Sequence, residues 1–320
     1  MTAQFAGGYV DLQVNGYQGV DFNQPHRSVA ELRFAAGAML KDGVRQALPT
    51  IITGSIAAMS DCIRALRTAI ESDPVCRAVY AGIHIEGPFL SRKPGFIGAH
   101  PPEHALESNP TALAELIDCG GGLVRLVTLA PEVDSDGALT RYLVARGVIV
   151  SAGHTDASLE DLDRCLDAGL RLFTHLCNAC PPEMNRHDNI IYRALRRSDR
   201  LHYTLIADGF HVPKLLFENL LNWVPSTHLA VVSDAISAAG LGPGTYRLAG
   251  REVAIGADKA ARDPSGKHFV GSACSMRDAD QWLTNVLELN TELRQQLLSD
   301  NPLRWLQGTY NSAHTQLSAQ

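Results

Sequence analysis

Acidic and imidazole side chains stand at the ends of several short apolar runs in this 320-residue chain. Glu86, His154 and His175 offer one carboxylate and two imidazoles, a donor set that suits a divalent cation such as Zn2+ and leaves a position open for water. Asp234 follows a further apolar run and is a candidate general base, able to take a proton from activated water and return it to a leaving nitrogen. Each residue alone is more often structural, but together they predict metal-dependent hydrolysis of an amide.

The first apolar run favours one metal ion rather than two. Gln13 and Asn15 alternate along a strand and therefore point to the same side. A His-x-His pair at these positions would add a second metal site, whereas neutral amides are poor ligands for Zn2+. We expect Gln13 and Asn15 to hydrogen-bond to neighbouring ligands or to the bound water. Fe2+, Mn2+ or Co2+ could fill the single site instead of Zn2+.

The apolar runs are short and rich in Val, Ile, Leu or Thr, which predicts strands that are buried on both faces. Helical patterns separate most of them, for example from Ser28, a possible N-cap, to Gly43, and from Ser158 to Gly169. About eight β–α units in series predict a (β/α)8 TIM barrel, with an open doubly wound sheet as the alternative. The runs lie near residues 7–16, 44–52, 78–87, 123–131, 147–154, 170–178, 203–211 and 228–236.

A barrel would bring the chemical residues together, because barrel enzymes place their active sites at the carboxyl ends of the strands. Residues 242–272 are rich in turn residues and predict a β-hairpin excursion between strand eight and the last helix. The polar tail after about residue 308 is expected to be frayed. We expect residues 1–320 to form a single domain.

Composition excludes several classes of function. The formal net charge is −6 and there is no Lys/Arg-rich run, so we expect no nucleic-acid partner. The sequence shows neither a signal peptide nor an apolar stretch long enough to span a membrane. Seven scattered cysteines then predict reduced thiols and a cytoplasmic location. Cys177 and Cys180 form a lone CxxC pair, for which we favour no metal or redox role.

Several motifs occur in the order and spacing of one known family and cover roughly residues 8 to 308. Through them the chain resembles the N-acetylglucosamine-6-phosphate deacetylases of the amidohydrolase superfamily. The motifs are DLQVNG (11–16), HIEGPF (84–89), GAHPPE (98–103), SAGHTDAS (151–158), THLCNA (174–179), IADGFHV (206–212), SDAISAAG (233–240) and GSACSM (271–276).

The resemblance implies a role for each candidate residue. Glu86, His154 and His175 would bind the catalytic metal, and Asp234 would act as general base and then as general acid. His100 would polarise the acetyl carbonyl or help to hold the developing oxyanion.

The resemblance also implies a binding site for an amino-sugar phosphate. His211 would contact the sugar or its phosphate, and the backbone at Asn178 and Ala179 would bind the phosphate together with Arg186. Arg186 is a candidate on physical grounds as well, because a guanidinium matches the geometry of a phosphate. In the family the phosphate-binding Arg and His can come from a neighbouring subunit, so a homodimer is expected.

The chain departs from the family at two places. The small β-sandwich that family members build from their terminal segments is expected to be missing on both sides. A Gly-containing REPG-like turn is common after the phosphate motif, whereas this chain has Arg186-His187-Asp188-Asn189, so we expect a reshaped phosphate pocket. Two alternatives stay open: a related amide hydrolase for another N-acetyl amino-sugar phosphate or a cyclic amide, and a non-catalytic barrel that binds a sugar phosphate.

Overall fold

The computed structural model of the chain describes residues 7–256, 260–262, 269 and 271–308. Its strands are β1 (Tyr9–Val14), β2 (Gly16–Tyr17), β3 (Val20–Asp21), β4 (Val44–Ile52), β5 (Ile83–Glu86), β6 (Val124–Leu129), β7 (Ile149–Ala152), β8 (Leu172–Phe173), β9 (His202–Ile206), β10 (Leu229–Val232), β11 (Gly244–Leu248), β12 (Arg251–Ile255) and β13 (Ala261–Arg262). Its α-helices are α1 (Val29–Lys41), α2 (Ile56–Ser72), α3 (Pro74–Val79), α4 (Pro110–Cys119), α5 (Ala138–Val144), α6 (Leu159–Ala168), α7 (Ile190–Leu195), α8 (Lys214–Trp223), α9 (Met276–Asn285), α10 (Thr291–Gln295) and α11 (Asn301–Leu306).

Eight parallel strands form the central sheet in the order β1-β4-β5-β6-β7-β8-β9-β10, and each strand overlaps one of the predicted runs. The two edges of this sheet meet where the end of β1 contacts the residues that follow β10: Val14 pairs with Ala235, and the amide of Asp234 donates to the carbonyl of Gln13 at 3.0 Å. The predicted (β/α)8 barrel is therefore confirmed, and the open doubly wound sheet is excluded.

The barrel interior is apolar at its amino-terminal end. Leu12, Leu48 and Leu126 pack there with side chains from the other strands, and Trp305 of α11 closes this end. Trp305 is almost fully buried. Because this end is filled by apolar side chains, the polar residues of the strands are left to gather at the carboxyl ends.

Two helices begin as the sequence predicts. The hydroxyl of Ser28 accepts from the amide of Glu31, and the Glu31 carboxylate accepts in turn from the Ser28 amide, which is a capping box. Ser158 forms the same arrangement with Asp161 at the start of α6. Gly169 ends α6 with φ +113°, a left-handed conformation that glycine adopts without steric strain.

The predicted excursion is present and contains one strand more than a hairpin. Strands β11, β12 and β13 form a separate antiparallel sheet between β10 and α9. Two further α-helices, α10 and α11, follow α9. Asn290 caps α10 by accepting from the amide of Leu293, and burial of Leu297, Leu298 and Trp305 holds the chain in helical turns to residue 306.

The predicted frayed tail, residues 309–320, lies outside the described residues. Within the described part of the chain, no helix has the length and apolar character that a membrane crossing requires.

Candidate active site

Glu86 ends β5 and lies at the centre of a cluster of imidazoles. Its Oε1 lies 2.9 Å from Nε2 of His175 and 3.2 Å from Nε2 of His154, and it accepts from Nε2 of Gln13 at 3.1 Å. Its Oε2 lies 3.6 Å from Nε2 of His100. All five side chains are buried. The prediction that Gln13 hydrogen-bonds to a neighbouring candidate ligand is confirmed.

The protonation of His154 fits a cation between it and Glu86. Nδ1 of His154 lies 3.0 Å from the carbonyl oxygen of Phe96, which can only accept, so Nδ1 carries the ring proton. Nε2 of the neutral ring then presents a lone pair to a carboxylate oxygen of Glu86. Two acceptors in contact are unfavourable unless a cation lies with them, and a backbone acceptor on the other ring nitrogen is typical of metal-binding histidines.

Glu86, His154 and His175 form the group within the described residues that could hold a metal ion, with one potential ligand atom from each inside 4.8 Å of the others. Nδ1 of His175 is buried and has no hydrogen-bond partner among the described residues. Burial alone would raise the pKa of Glu86, but the surrounding imidazoles of His100, His154 and His175 outweigh it and hold this pKa well below its usual value. The group therefore keeps a carboxylate, which a divalent cation needs.

His100 is held with its Nε2 toward Glu86. The backbone amide of Thr53 donates to Nδ1 of His100 at 3.3 Å, so the proton of the neutral ring is on Nε2. Burial lowers the pKa of His100 to about 4, which keeps the ring neutral near pH 7. Gly87 allows this contact, because a Cβ at its position would lie 2.1 Å from Oγ1 of Thr53. His100 can thus donate one hydrogen bond into the site.

Asp234 follows β10, which lies three strands from β5 around the closed barrel, and its side chain is partly buried. Asn15 donates to its Oδ1 at 2.7 Å, so the amide predicted to contact ligands or water binds the candidate base instead. Burial raises the pKa of Asp234 to about 6. A carboxylate with this pKa can accept and release a proton near neutral pH.

The strand ends that carry these residues have an unusual backbone. His154, His175 and Asp234 have φ of +50°, +34° and +47°, in the left-handed region that residues with a Cβ seldom adopt. Such a conformation costs roughly 1 kcal/mol or more per residue, so tertiary contacts must hold it. Before Asp234, for example, Asp11 holds the neighbouring Ser233. The Asp11 carboxylate accepts from the Ser233 hydroxyl at 2.5 Å and from the Ser233 amide at 3.1 Å.

A cavity of about 930 Å3 opens above the cluster and is lined by most of the residues that the sequence singled out. Asn178, Ala179 and His211 line it, together with Glu86, His100, His154, His175 and Asp234. Arg186 does not line it and is exposed on the loop that precedes α7. Its role therefore stays a prediction.

The loop between β8 and α7 has its own local structure. The side chain of Asn185 accepts from the amides of His187 and Asp188, and the Asn189 side chain caps α7 by accepting from the amides of Ile191 and Tyr192. These bonds give residues 185–189, where a reshaped phosphate pocket was predicted, their local structure. Cys177 and Cys180, both free thiols, line the cavity on the side of this loop.

His211 is oriented by a carboxylate at the end of the seventh barrel strand. Its Nδ1 lies 2.6 Å from Oδ2 of Asp208, whose other oxygen accepts from the amides of Phe210 and His211. Burial opposes ionisation of Asp208, but the contact with His211 outweighs it and lowers the Asp208 pKa. Nδ1 therefore donates to Asp208, which leaves Nε2 of His211 for the cavity.

Sequence reasoning missed several residues that shape the site. Thr53 and Glu132 follow the second and fourth predicted strands, so a search for polar residues at every strand end would have found them. Glu132 accepts from the hydroxyl of Thr155 and, at 2.8 Å, from the amide of Asp156, and so holds the turn after His154. Arg251, in the antiparallel sheet, also lines the cavity, and no sequence signal marked it.

Comparisons with known proteins give one consistent group of relatives, although no protein-family model matches the chain. A Bos taurus N-acetylglucosamine-6-phosphate deacetylase is 35% identical over 260 residues, which cover 78% of this chain and 62% of that protein. Its Homo sapiens counterpart is 34% identical, with 86% of this chain and 71% of that protein covered. An N-acetylgalactosamine-6-phosphate deacetylase from Shewanella is 31% identical, with 96% and 75% covered. The chain thus spans about two thirds of the length of these relatives.

Solved structures give the same picture. A mutant N-acetyl-D-glucosamine-6-phosphate deacetylase from Mycobacterium smegmatis, solved in complex with N-acetyl-D-glucosamine 6-phosphate, matches with a TM-score of 0.85 and 27% identity over 94% of this chain and 77% of that one. A deacetylase of the same name from Thermotoga maritima matches with a TM-score of 0.82 and 26% identity, covering 94% of this chain and 78% of that one.

Proposed function

The chain belongs to the N-acetylglucosamine-6-phosphate deacetylase family, and from this premise we propose that it hydrolyses the acetamide of N-acetylglucosamine 6-phosphate to glucosamine 6-phosphate and acetate. The observation that supports this most is the arrangement of Glu86, His154 and His175 at the floor of the cavity, with Asp234 lining the same cavity. An amide needs activated water, a proton acceptor and a proton donor, and these residues can provide all three functions.

Glu86, His154 and His175 hold one divalent cation in this proposal. Zn2+ suits one carboxylate and two imidazoles, and Fe2+, Mn2+ or Co2+ are the alternatives. When bound, the cation supplies Lewis-acid chemistry, because it makes water more acidic and polarises a carbonyl oxygen. Gln13 donates to Glu86 and so fixes the carboxylate that carries the negative charge of the site.

Asp234 moves the proton. Its carboxylate accepts a proton from the attacking water and delivers it to the nitrogen of the departing amino sugar. The hydrogen bond from Asn15 fixes one carboxylate oxygen, which leaves the other free to accept the proton. The neutral amine leaves more easily than an amide anion, so the same residue serves as base and then as acid.

His100 stabilises negative charge on the acetyl oxygen. Its Nε2–H points into the site because Thr53 occupies Nδ1. A fixed donor is more effective than water, since it needs no reorganisation when the oxyanion forms.

The substrate phosphate is bound at the outer end of the cavity in this proposal, by the backbone of Asn178 and Ala179 and by His211. Arg186 is exposed beside this region, and a homodimer would allow it to reach a neighbouring subunit's cavity. We also propose that residues 1–320 act as one domain. Seven free cysteines are consistent with a reducing, cytoplasmic location.

One second candidate has a specific observation in its favour. The Shewanella relative that covers 96% of this chain is named for N-acetylgalactosamine 6-phosphate, which differs from the glucosamine compound only at carbon 4. The metal cluster and Asp234 would serve either epimer equally, so the choice between them depends on the loops around the cavity.

Acetate release from purified protein tests the proposal. We expect release from N-acetylglucosamine 6-phosphate in preference to its galactosamine epimer, and loss of release in the Asp234→Asn variant. Faster release from the galactosamine epimer would show that the second candidate function is the correct one. The same negligible release from wild type and variant, with metal supplied, would instead support a barrel that only binds a sugar phosphate.

A further inference from the structure

A guanidinium lies at the entrance of the cavity on a segment that the expected phosphate site does not include. Arg251, the first residue of β12, lines the cavity, and among its described lining residues no other arginine or lysine is present. We propose that Arg251 binds the phosphate of the substrate and sets the preference for phosphorylated over unphosphorylated sugars. This inference rests on the proposed function.

The hydrogen bonds of Arg251 leave most of its donors available. One nitrogen, Nη1, donates to the carbonyl of Ala99 at 3.0 Å. Within the described residues, no carboxylate lies within 4.0 Å of its guanidinium nitrogens. A guanidinium carries five N–H groups in a planar fork that matches two oxygens of a phosphate. The bond to Ala99 thus orients the group without neutralising it.

The bond to Ala99 joins the guanidinium to the loop that carries His100 into the site. Ala99 directly precedes His100, whose ring faces Glu86. The same loop packs on the β8–α7 loop, since a Cβ at Gly98 would lie 3.8 Å from Cβ of Ala179 and one at Gly95 would lie 2.6 Å from Cγ of Pro181. Arg251 therefore lies on the cavity wall that continues to Ala179.

A carboxylate beside Arg251 carries a negative charge that a positive charge at the entrance would offset. Glu252 also lines the cavity and would repel a phosphate. Its register partner is Arg247 on β11. Arg247 and Arg251 both line a neighbouring cavity of about 420 Å3, but only Arg251 also lines the one above the metal cluster. Arg247 is thus a matched control: an exposed arginine on the paired strand, outside the active-site cavity.

A purely structural role makes a different prediction. Through Ala99, Arg251 supports the loop that carries His100 and the carbonyl of Phe96, which orients His154. Loss of such support would lower kcat/KM by the same factor for phosphorylated and unphosphorylated substrates. The ratio of the two specificity constants separates phosphate binding from support.

The test compares wild type with Arg251→Ala, Arg251→Lys and Arg247→Ala. The measured quantity is kcat/KM for N-acetylglucosamine 6-phosphate divided by kcat/KM for N-acetylglucosamine. We expect Arg251→Ala to lower this ratio about 10- to 100-fold, mainly through KM, because a hydrogen bond to a charged group is lost. For Arg251→Lys the ratio should lie between those of Arg251→Ala and wild type, and for Arg247→Ala it should equal that of wild type.

An unchanged ratio in Arg251→Ala, or an equal loss in Arg247→Ala, overturns the inference while the proposed function stands. Should Arg251→Ala fail to fold, the ratio measured for Arg251→Lys decides, since a single ammonium cannot make the bidentate contact. Calorimetric binding of N-acetylglucosamine 6-phosphate to Asp234→Asn, with and without Arg251→Lys, gives a readout that needs no turnover. Wild type that binds this compound but releases no acetate would refute only the proposed function.

Discussion

The floor and the entrance of the cavity are built in different ways. The floor residues are held by hydrogen bonds to barrel strands and to the segments that follow them, and four of the five are buried; they are Glu86, His100, His154, His175 and Asp234. The entrance residues lie on loops and on the antiparallel sheet, and each is either half-buried or exposed; they are Asn178, Ala179, Arg186, His211 and Arg251. In the proposed function, the floor therefore carries out the reaction and the entrance selects the substrate.

This contrast predicts two kinds of defect. A change in the floor should lower kcat by a similar factor for every amide substrate, because the groups that contact the reacting bond are lost. A change at the entrance should act mainly on KM and only for phosphorylated compounds.

The largest effect is expected for Glu86→Gln. Loss of the carboxylate removes the negative charge of the metal group and leaves His154 and His175 facing an amide. We expect metal content, measured by atomic emission, and acetate release to fall together to background. Glu103→Gln, in the exposed part of the same β5–α4 connection, should change neither. Full metal content in Glu86→Gln would place the metal elsewhere.

Asp234→Asn should cost about 10^2- to 10^4-fold in kcat, the range for loss of a general acid–base group. Metal content should stay at the wild-type level, since Asp234 lies outside the metal group. Steady-state kinetics with phosphorylated and unphosphorylated substrates should show the same factor. A loss confined to KM would argue against proton transfer by this residue.

His100→Gln should lower kcat about 10^2- to 10^3-fold, as expected when one donor to an oxyanion is lost. Melting temperature should be recorded beside kcat, because His100 is buried. If the folded variant has the kcat of wild type, His100 does not stabilise the oxyanion.

The pH dependence of kcat/KM should change when Asn15 is replaced. The base must be ionised, so activity falls as the pH drops through the pKa of Asp234, which burial raises to about 6. The positive charge of a bound cation favours the carboxylate, so the wild-type acid limb should lie at or below about pH 6. Asn15→Ala removes a donor to the charged form and should move this limb to higher pH. A limb that moves to lower pH, or does not move, contradicts the assignment.

The smallest of these effects is expected at the entrance. His211→Asn should raise KM for N-acetylglucosamine 6-phosphate about tenfold and leave kcat nearly unchanged, because one hydrogen bond to a charged group is lost. Kinetics with unphosphorylated N-acetylglucosamine provide the control, and a fall in kcat on both substrates would move His211 into the chemistry.

The same contrast explains what could be predicted from the sequence. Strands of a barrel appear as short apolar runs, and polar residues at their carboxyl ends must meet, so Glu86, His154, His175 and Asp234 could be placed before any coordinates were known. Thr53 and Glu132 obey the same rule and could have been found at the ends of the two strands that were not searched.

The entrance could not be predicted in this way. Arg251 lies in a turn-rich segment where strand pairing, not sequence periodicity, decides which side chain reaches the cavity. Arg186 could be chosen for its chemistry, but the turn that Asn185 makes leaves it exposed. The left-handed conformations of His154, His175 and Asp234 could not be predicted from their residue types either, because tertiary contacts impose them.

The most direct test of the floor is a metal titration of chelator-treated protein. Zn2+ is added in steps, and acetate release from N-acetylglucosamine 6-phosphate is measured at each step. One group of Glu86, His154 and His175 per chain predicts no release before addition and a linear rise that ends at one equivalent of metal per chain. Full release without metal, or a rise that ends only at two equivalents, would contradict a single metal site.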